Sequence, residues 1–348
     1  MACRVREGGS TLSEYKGNAD LRHVLQVRDL CVAYGGRDGR VWRALEKVSF
    51  SVGAGEILGV LGESGSGKST LAAALLRLLP ANGRITGGEI LLEGSDVVRM
   101  DAAQLRRIRG SGVSIVFQEP SLALHPTIRI GEQVVEVLRA HGASSKRERG
   151  ERAREILAKV FSRDVDRIFS SYPHELSGGQ QQRALIAQAI ACDPALVVAD
   201  EPTASLDPTT QREILTLFQS LRDQLGIAFV FITHNPMLLA GFADRVLVLY
   251  AGKIAELGPA EAVLVSPQHP YTQALLRCVP RVEYGEPARP QRALLPVIPG
   301  RTPSLAMLSQ GCVFEPRCEK RMDVCQVSDP MAAMLGNGHE VSCLKFPA

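Results

Sequence analysis

Residues 62–69 read GESGSGKS, a Gly-x-x-x-x-Gly-Lys-Ser string that follows the apolar run EILGVL and precedes a helix-forming stretch from Ser69 that Pro80 stops. Strand, glycine-rich turn and helix together form a cradle for nucleotide phosphates. The glycines let successive N–H groups point at phosphate oxygens, and the helix N-terminus adds its dipole. The expected contacts are Gly62, Glu63, Ser64, Gly65, Ser66, Gly67, Lys68, Ser69 and Thr70. Lys68 is placed to reach the β- and γ-phosphates, and the Ser69 hydroxyl to ligate Mg²⁺. The chain should therefore bind ATP with Mg²⁺.

The rest of the chain alternates strands with helices. Short alternating segments at 24–34 and 46–52, and further strands at 88–93 and 111–118, precede a helical block at 130–170. Then come a helix at 180–191, a strand at 195–200, a helix at 209–224, and strands at 227–233 and 245–250. This order predicts a mostly parallel, helix-covered sheet, with the helical block as an insertion. The strand ALVVADE ends in two carboxylates. Asp200 at its tip can hold Mg²⁺ directly or through water, and Glu201 is placed to polarise an attacking water as general base.

At 348 residues the chain exceeds one growing core, so a large domain with an appendage is expected. A net charge of +3 is too small to argue for a nucleic-acid partner. The one basic run, KRERGERAR at 146–154, contains Glu148 and Glu151 and reads as a solvated helix face. No apolar stretch is long enough to span a bilayer, and the first 20 residues lack a signal-type apolar core. A cytoplasmic protein, touching a membrane only through a partner, is the expectation. Of eight cysteines, Cys3, Cys31, Cys192 and Cys278 are scattered and four gather near the C-terminus. Pro280, Pro287, Pro290, Pro296, Pro299 and Pro303 mark a linker or an extended arm.

A second string, LSGGQQQR at 176–183, follows the phosphate loop by more than a hundred residues. A Ser-Gly-Gly helix start is ordinary capping chemistry taken alone. In this order of motifs, residues 24–265 resemble the ATP-binding subunit of an ATP-binding-cassette (ABC) transporter. The resemblance implies an α/β P-loop NTPase (RecA-like) fold. Its mostly parallel sheet core would carry an N-terminal antiparallel β subdomain, an inserted α-helical subdomain at about 120–175 and a C-terminal Cys-bearing extension. The implied boundaries are a tail at 1–20, the nucleotide-binding domain at 21–265 and the extension at 266–348. Ser177, Gly178, Gly179 and Gln180 would meet the γ-phosphate of ATP held by an opposite subunit. Tyr34 would stack on adenine, and Asp207 in SLD would lie in a loop crossing the dimer interface. Gln118 would sense Mg²⁺ and the lytic water, and His234 in FITHN would contact the γ-phosphate. The implied catalytic set is Glu201, His234 and Gln118, and the Mg²⁺ set is Ser69, Gln118 and Asp200.

The segments SPQHPYTQALL (266–276), LLPVIPGRTPSL (294–305) and GCVFEPRC (311–318) resemble the extension of oligopeptide/dipeptide and nickel importer ATPases. One departure is His125 in EPSLALHP, where the family more often has Asn. Cys312, Cys318, Cys325 and Cys343 lack the tight C-x2–4-C turn usual for zinc and suit a [4Fe–4S] cluster better, with Zn²⁺ or metal-free thiols as alternatives. A cluster would staple a segment with little core of its own. The resemblance implies an ATPase at the cytoplasmic face of the inner membrane that powers uptake of peptides or a related small solute such as nickel. Its partners would be a second ATP-binding subunit (a paralogue, or a second copy), two transmembrane permease subunits and, indirectly, an extracytoplasmic solute-binding protein. Nucleic acid is not among them. The alternatives are a soluble ABC-type ATPase uncoupled from transport and a redox-regulated iron–sulfur sensor. Soluble relatives usually carry two cassettes or a long coiled-coil insertion, and this chain has neither.

Overall fold

A computed structural model of the protein describes residues 23–36, 39–142, 145–279, 296–303 and 311–347. The expected tail at 1–20 lies outside the described residues, and so does the 280–295 part of the Pro-rich segment marked by Pro280 to Pro303.

The opening alternation becomes an antiparallel unit. β1 (His23–Gly35) pairs with β2 (Val41–Gly53); after β3 (Ile57–Leu61) and α1 (Lys68–Leu75) the chain returns as β4 (Gly83–Leu92), paired with the other edge of β1. β5 (Ser95–Asp96) completes a four-stranded sheet of order β2-β1-β4-β5. α2 (Ala102–Ser111) leads into β6 (Val113–Val116), and the helices α3 (Pro120–Ala123), α4 (Ile130–His141), α5 (Lys146–Val160) and α6 (Val165–Ser170) follow. The α/β rhythm resumes with α7 (Gly178–Ile190), β7 (Leu196–Asp200), α8 (Pro208–Leu225), β8 (Ala228–Thr233) and β9 (Arg245–Tyr250). β10 (Lys253–Pro259), α9 (Ala260–Val265), α10 (Pro270–Arg277), β11 (Ala333–Met334) and β12 (Glu340–Val341) close the chain.

The second sheet has the order β11-β12-β10-β9-β3-β8-β7-β6, and its β9-β3-β8-β7-β6 portion is parallel. Every residue of β3 and β8 is buried, which explains why these strands read as unbroken apolar runs: helices cover both faces of a parallel sheet. On one face Phe218 of α8 meets Phe229 and Phe231 of β8 edge-on, and Phe231 in turn meets Phe242. Such pairs add about 0.5–1.5 kcal/mol each beyond area burial.

Three local departures have physical causes. α1 stops at Leu75, well before Pro80, because two arginines terminate it. Arg109 donates to the Leu76 and Arg77 carbonyls at 2.9 and 2.8 Å, and Arg77 takes φ 50° while bonding the Val97 and Met100 carbonyls. The strand expected over 111–118 pairs only over Val113–Val116, leaving Phe117 and Gln118 exposed beyond the sheet. The tail is also less autonomous than its composition suggests. β12 pairs with β10, so the extension continues the main sheet. The buried Glu256 carboxylate accepts from the Gln268 and His269 amides and from His339 Nε2, at 2.7, 3.0 and 2.8 Å. The basic run at 146–154 does form a solvated face: α5 starts at a Ser145–Glu148 capping box, and its Arg147–Glu151 and Arg154–Asp166 pairs are exposed.

Candidate active site

The C-terminal ends of the parallel strands lie at one sheet edge, where open α/β sheets bind ligands. β3, β7, β8 and β6 run in register there, with Leu61 beside Thr233, Asp200 beside Ile232, and Val116 beside Ala199. The residues just past these strands are the phosphate loop, Glu201, His234 and Gln118. One edge therefore collects motifs spread over more than 170 residues of chain.

The loop's shape depends on two glycines. Gly67 takes φ 108°, a left-handed conformation, and a Cβ there would lie 2.9 Å from Leu45. A Cβ at Gly62 would collide with the Leu249 carbonyl and the Ser66 hydroxyl. From below, the Gly252 amide holds the Ser66 carbonyl at 2.9 Å. Lys68 is buried, and its Nζ donates to the Gly62 and Glu63 carbonyls at 2.8 and 3.0 Å. Burial lowers its pKa, against the pull of Glu201, Asp200 and Glu63. The ammonium thus sits on its own loop, ready to exchange two carbonyls for phosphate oxygens.

Asp200 lies at the tip of β7. Burial raises its pKa, partly offset by a hydrogen bond from Ser69. Its Oδ1 is buried without a hydrogen-bond partner, and so is the Ser66 hydroxyl. An orphaned carboxylate oxygen beside a serine hydroxyl suits a hard divalent cation with oxygen ligands, so the residues present fit Mg²⁺. Glu201 follows at φ 46°, its amide bonded to the Ile232 carbonyl at 3.0 Å, and its Oε2 lies 2.9 Å from His234 Nδ1. Gln118 is exposed at the same edge. Tyr34 joins through its hydroxyl, 3.1 Å from Thr70 Oγ1, while its ring packs on Gly83.

A second group stands apart. Ser177 N-caps α7 in a capping box, its Oγ 3.3 Å from the Gln180 amide and the Gln180 Oε1 3.1 Å from the Ser177 amide. Asp207 caps α8, accepting from the Thr209 and Thr210 amides at 3.1 Å and from the Thr210 hydroxyl at 2.6 Å, which lowers its pKa. Gly179 packs close against Thr210, where a Cβ would meet the methyl at 2.6 Å. Gly178 and Gly179 therefore bring two helix N-termini side by side, facing outward.

The cysteines come together without forming a metal centre. Burial pushes the Cys312 thiol up to about 11, and Cys325, Cys343 and Cys318 add to the shift, so the four are electrostatic neighbours. Cys318 and Cys343 are also raised, burial again leading. Among the described residues no three His, Cys, Asp or Glu side chains are arranged to hold a metal ion. The ligand arrangement expected for an iron–sulfur site is thus not seen among the described residues. The sequence also gave no sign that Tyr271, Thr302 and Arg317 reach the phosphate loop at Glu63.

The ABC transporter family matches residues 45–204, and the oligopeptide/dipeptide transporter C-terminal region matches residues 255–325. The oligopeptide transport ATP-binding protein of Escherichia coli is 42% identical over 308 residues, covering 88% of this chain and 89% of its own. That of Salmonella typhimurium is 41% identical over 322 residues, covering 92% and 93%. Among solved structures, a dimeric ATP-binding cassette in a post-hydrolysis state bound to ADP and Pi superposes with a TM-score of 0.60. It is 30% identical and covers 68% of this chain and 98% of its own.

Proposed function

Because the chain belongs to the ABC transporter ATP-binding family and carries the C-terminal region of its oligopeptide/dipeptide transporters, we propose that its ATP hydrolysis energises import of peptides. The chain is an ABC-type ATPase. The observation that carries the reading is the convergence of Lys68, Asp200, Glu201 and His234 on the phosphate loop at one sheet edge.

Glu201 draws a proton from the attacking water, and His234 holds the carboxylate by donating to it from Nδ1. Lys68 leaves the loop carbonyls for the β- and γ-phosphates. Ser69, Asp200 and Gln118 would hold Mg²⁺, which when bound neutralises phosphate charge. Tyr34 stacks on the adenine.

The outward-facing Ser177, Gly178, Gly179 and Gln180, with Asp207, complete the site of a second ATP-binding subunit, so two ATP molecules lie between two chains. A helix N-terminus is suited to the γ-phosphate. The partner subunit is a paralogue or a second copy. In this assignment residues 21–265 form the nucleotide-binding unit and 266–348 the extension. No helix among the described residues is long and apolar enough to cross a membrane. Two permease subunits would hold the chain at the cytoplasmic face of the inner membrane, supplied by a solute-binding protein outside. Nickel or a related solute is the narrower alternative cargo.

Cys312, Cys318, Cys325 and Cys343 are the residues that would hold a structural iron–sulfur cluster, with zinc as the alternative, once their side chains are drawn together around it. Iron, acid-labile sulfide and zinc content of anaerobically purified protein would decide between them; absence of all three leaves a thiol cluster. The transport reading is tested by reconstituting the chain with its permeases in vesicles and measuring ATP-driven accumulation of labelled dipeptides and oligopeptides. ATP turnover with no accumulation of either would exclude peptide import.

A further inference from the structure

We propose that Arg317, carried by the C-terminal extension between Cys312 and Cys318, is a positioning residue of the nucleotide site, holding Glu63 so that the phosphate loop is set for ATP. The proposal rests on the ATPase reading of that loop.

The contact is two-pronged. Arg317 Nη1 lies 2.7 Å from Glu63 Oε2, and Nη2 lies 3.2 Å from Oε1. The guanidinium is fixed in turn: its Nε donates to the Pro299 carbonyl at 2.8 Å and Nη1 to the Tyr250 hydroxyl at 3.3 Å. Its side chain is 6% exposed and that of Glu63 27%, so water screens the pair little. Two further residues beyond the parallel sheet hold the same loop position. The Thr302 hydroxyl donates to Glu63 Oε2 at 3.3 Å, and the Glu63 amide donates to the Tyr271 hydroxyl at 2.9 Å. Tyr250, Tyr271 and Phe314 pack around this junction with ring centroids 4.5–5.4 Å apart. Burial opposes the charge on Arg317, yet Glu63 and Tyr250 raise its pKa and keep it protonated.

Glu63 has a reason to need such a partner. It is the second residue of a loop built to receive a triphosphate, and its own carbonyl accepts from Lys68. An uncompensated carboxylate there would repel the phosphates and attract the Lys68 ammonium. A planar fork both cancels the charge and fixes its orientation, which a point charge cannot do. The extension thereby becomes part of the ATP site.

The test uses the full-length chain, with Kd for a non-hydrolysable ATP analogue from calorimetry and KM and kcat from steady-state hydrolysis. Arg317→Ala should raise Kd and KM about tenfold while kcat falls less than about twofold, since the loop and not the reacting oxygens is disturbed. Adding Glu63→Gln should bring Arg317→Ala back to within about threefold of Glu63→Gln alone, because the charge needing compensation is gone. An unchanged Kd in Arg317→Ala, or an equal loss in both backgrounds, would overturn the proposal by leaving Arg317 a packing role only. If Arg317→Ala does not fold, Arg317→Lys decides: a Kd raised about threefold is expected, and a wild-type Kd overturns the proposal. A wild-type chain that binds no ATP would instead sink the ATPase reading, and the proposal with it.

Discussion

His234 Nδ1 lies 2.9 Å from Oε2 of Glu201, and the two residues come from the ends of adjacent strands β8 and β7. Glu201 adopts φ 46°, which a side chain of its size rarely takes, and its amide is pinned to the Ile232 carbonyl. The carboxylate is thus aimed by its own backbone on one side and by an imidazole on the other. Glu201 is mostly covered, whereas the His234 ring is largely open to solvent and able to meet a γ-phosphate.

Glu201→Gln keeps the shape and the acceptor for His234 while removing the base. Hydrolysis should fall by roughly 10²–10³-fold with ATP affinity retained, and an ATP-bound dimer should accumulate. Phosphate release reads the first effect, and size-exclusion chromatography with radiolabelled ATP reads the other two. Full turnover in this variant would remove Glu201 from the base role.

Lys68→Ala should act on binding itself. The variant loses the group that reaches the β- and γ-phosphates and leaves Asp200, Glu201 and Glu63 without the cation they surround. ATP affinity should drop roughly 10- to 100-fold, with AMP, which lacks those phosphates, affected far less. Equal losses for ATP and AMP would mean that the phosphate loop is misassigned.

The phosphate loop and the strand-end carboxylate were legible in the sequence because each is local: a glycine turn, an apolar run, a charge at its tip. The parallel sheet was legible for the same reason, since β3, β7, β8 and β9 are buried along nearly their whole length and carry no alternation to confuse with a helix. Contacts between distant segments left no such mark. Arg109 ending α1, Arg317 reaching Glu63 across 254 residues, and β12 pairing with β10 all join positions whose local patterns are unremarkable. Cysteine spacing offered chemistry but no distances, so it favoured a [4Fe–4S] cluster over zinc or free thiols, while the described residues hold no arrangement of three metal-ligating side chains.

Ser177→Ala should separate the two halves of the proposed composite site. Losing the Oγ that accepts from the Gln180 amide removes one helix cap, worth about 1 kcal/mol of stability. Within one chain the Ser177 hydroxyl bonds only to the Gln180 amide among the described residues, so ATP affinity of the dilute, monomeric variant should match wild type. The ATP-bound dimer trapped by Glu201→Gln should not form when Ser177→Ala is added. A Glu201→Gln/Ser177→Ala protein that still dimerises on ATP would place the signature serine away from the interface.

His269 gives the chain a pH-dependent anchor for its extension. It is 4% exposed, its Nδ1 accepts from the Tyr271 amide at 3.0 Å as the cap of α10, and burial lowers its pKa to about 4, only partly offset by a hydrogen bond to the Ser342 backbone. The unfolded chain takes up this proton near 6.5 and the folded chain near 4, so the unfolded state binds more protons in between. The stability His269 contributes is therefore complete above pH 6.5 and drains away as pH falls towards 4, at up to about 1.4 kcal/mol per pH unit for a single group. His269→Asn preserves the capping acceptor and cannot titrate. Urea unfolding from pH 7 to pH 4 should show a shallower decline for the variant than for wild type, with the curves converging as pH drops. Parallel curves over that window would show that His269 is not held neutral in the folded protein.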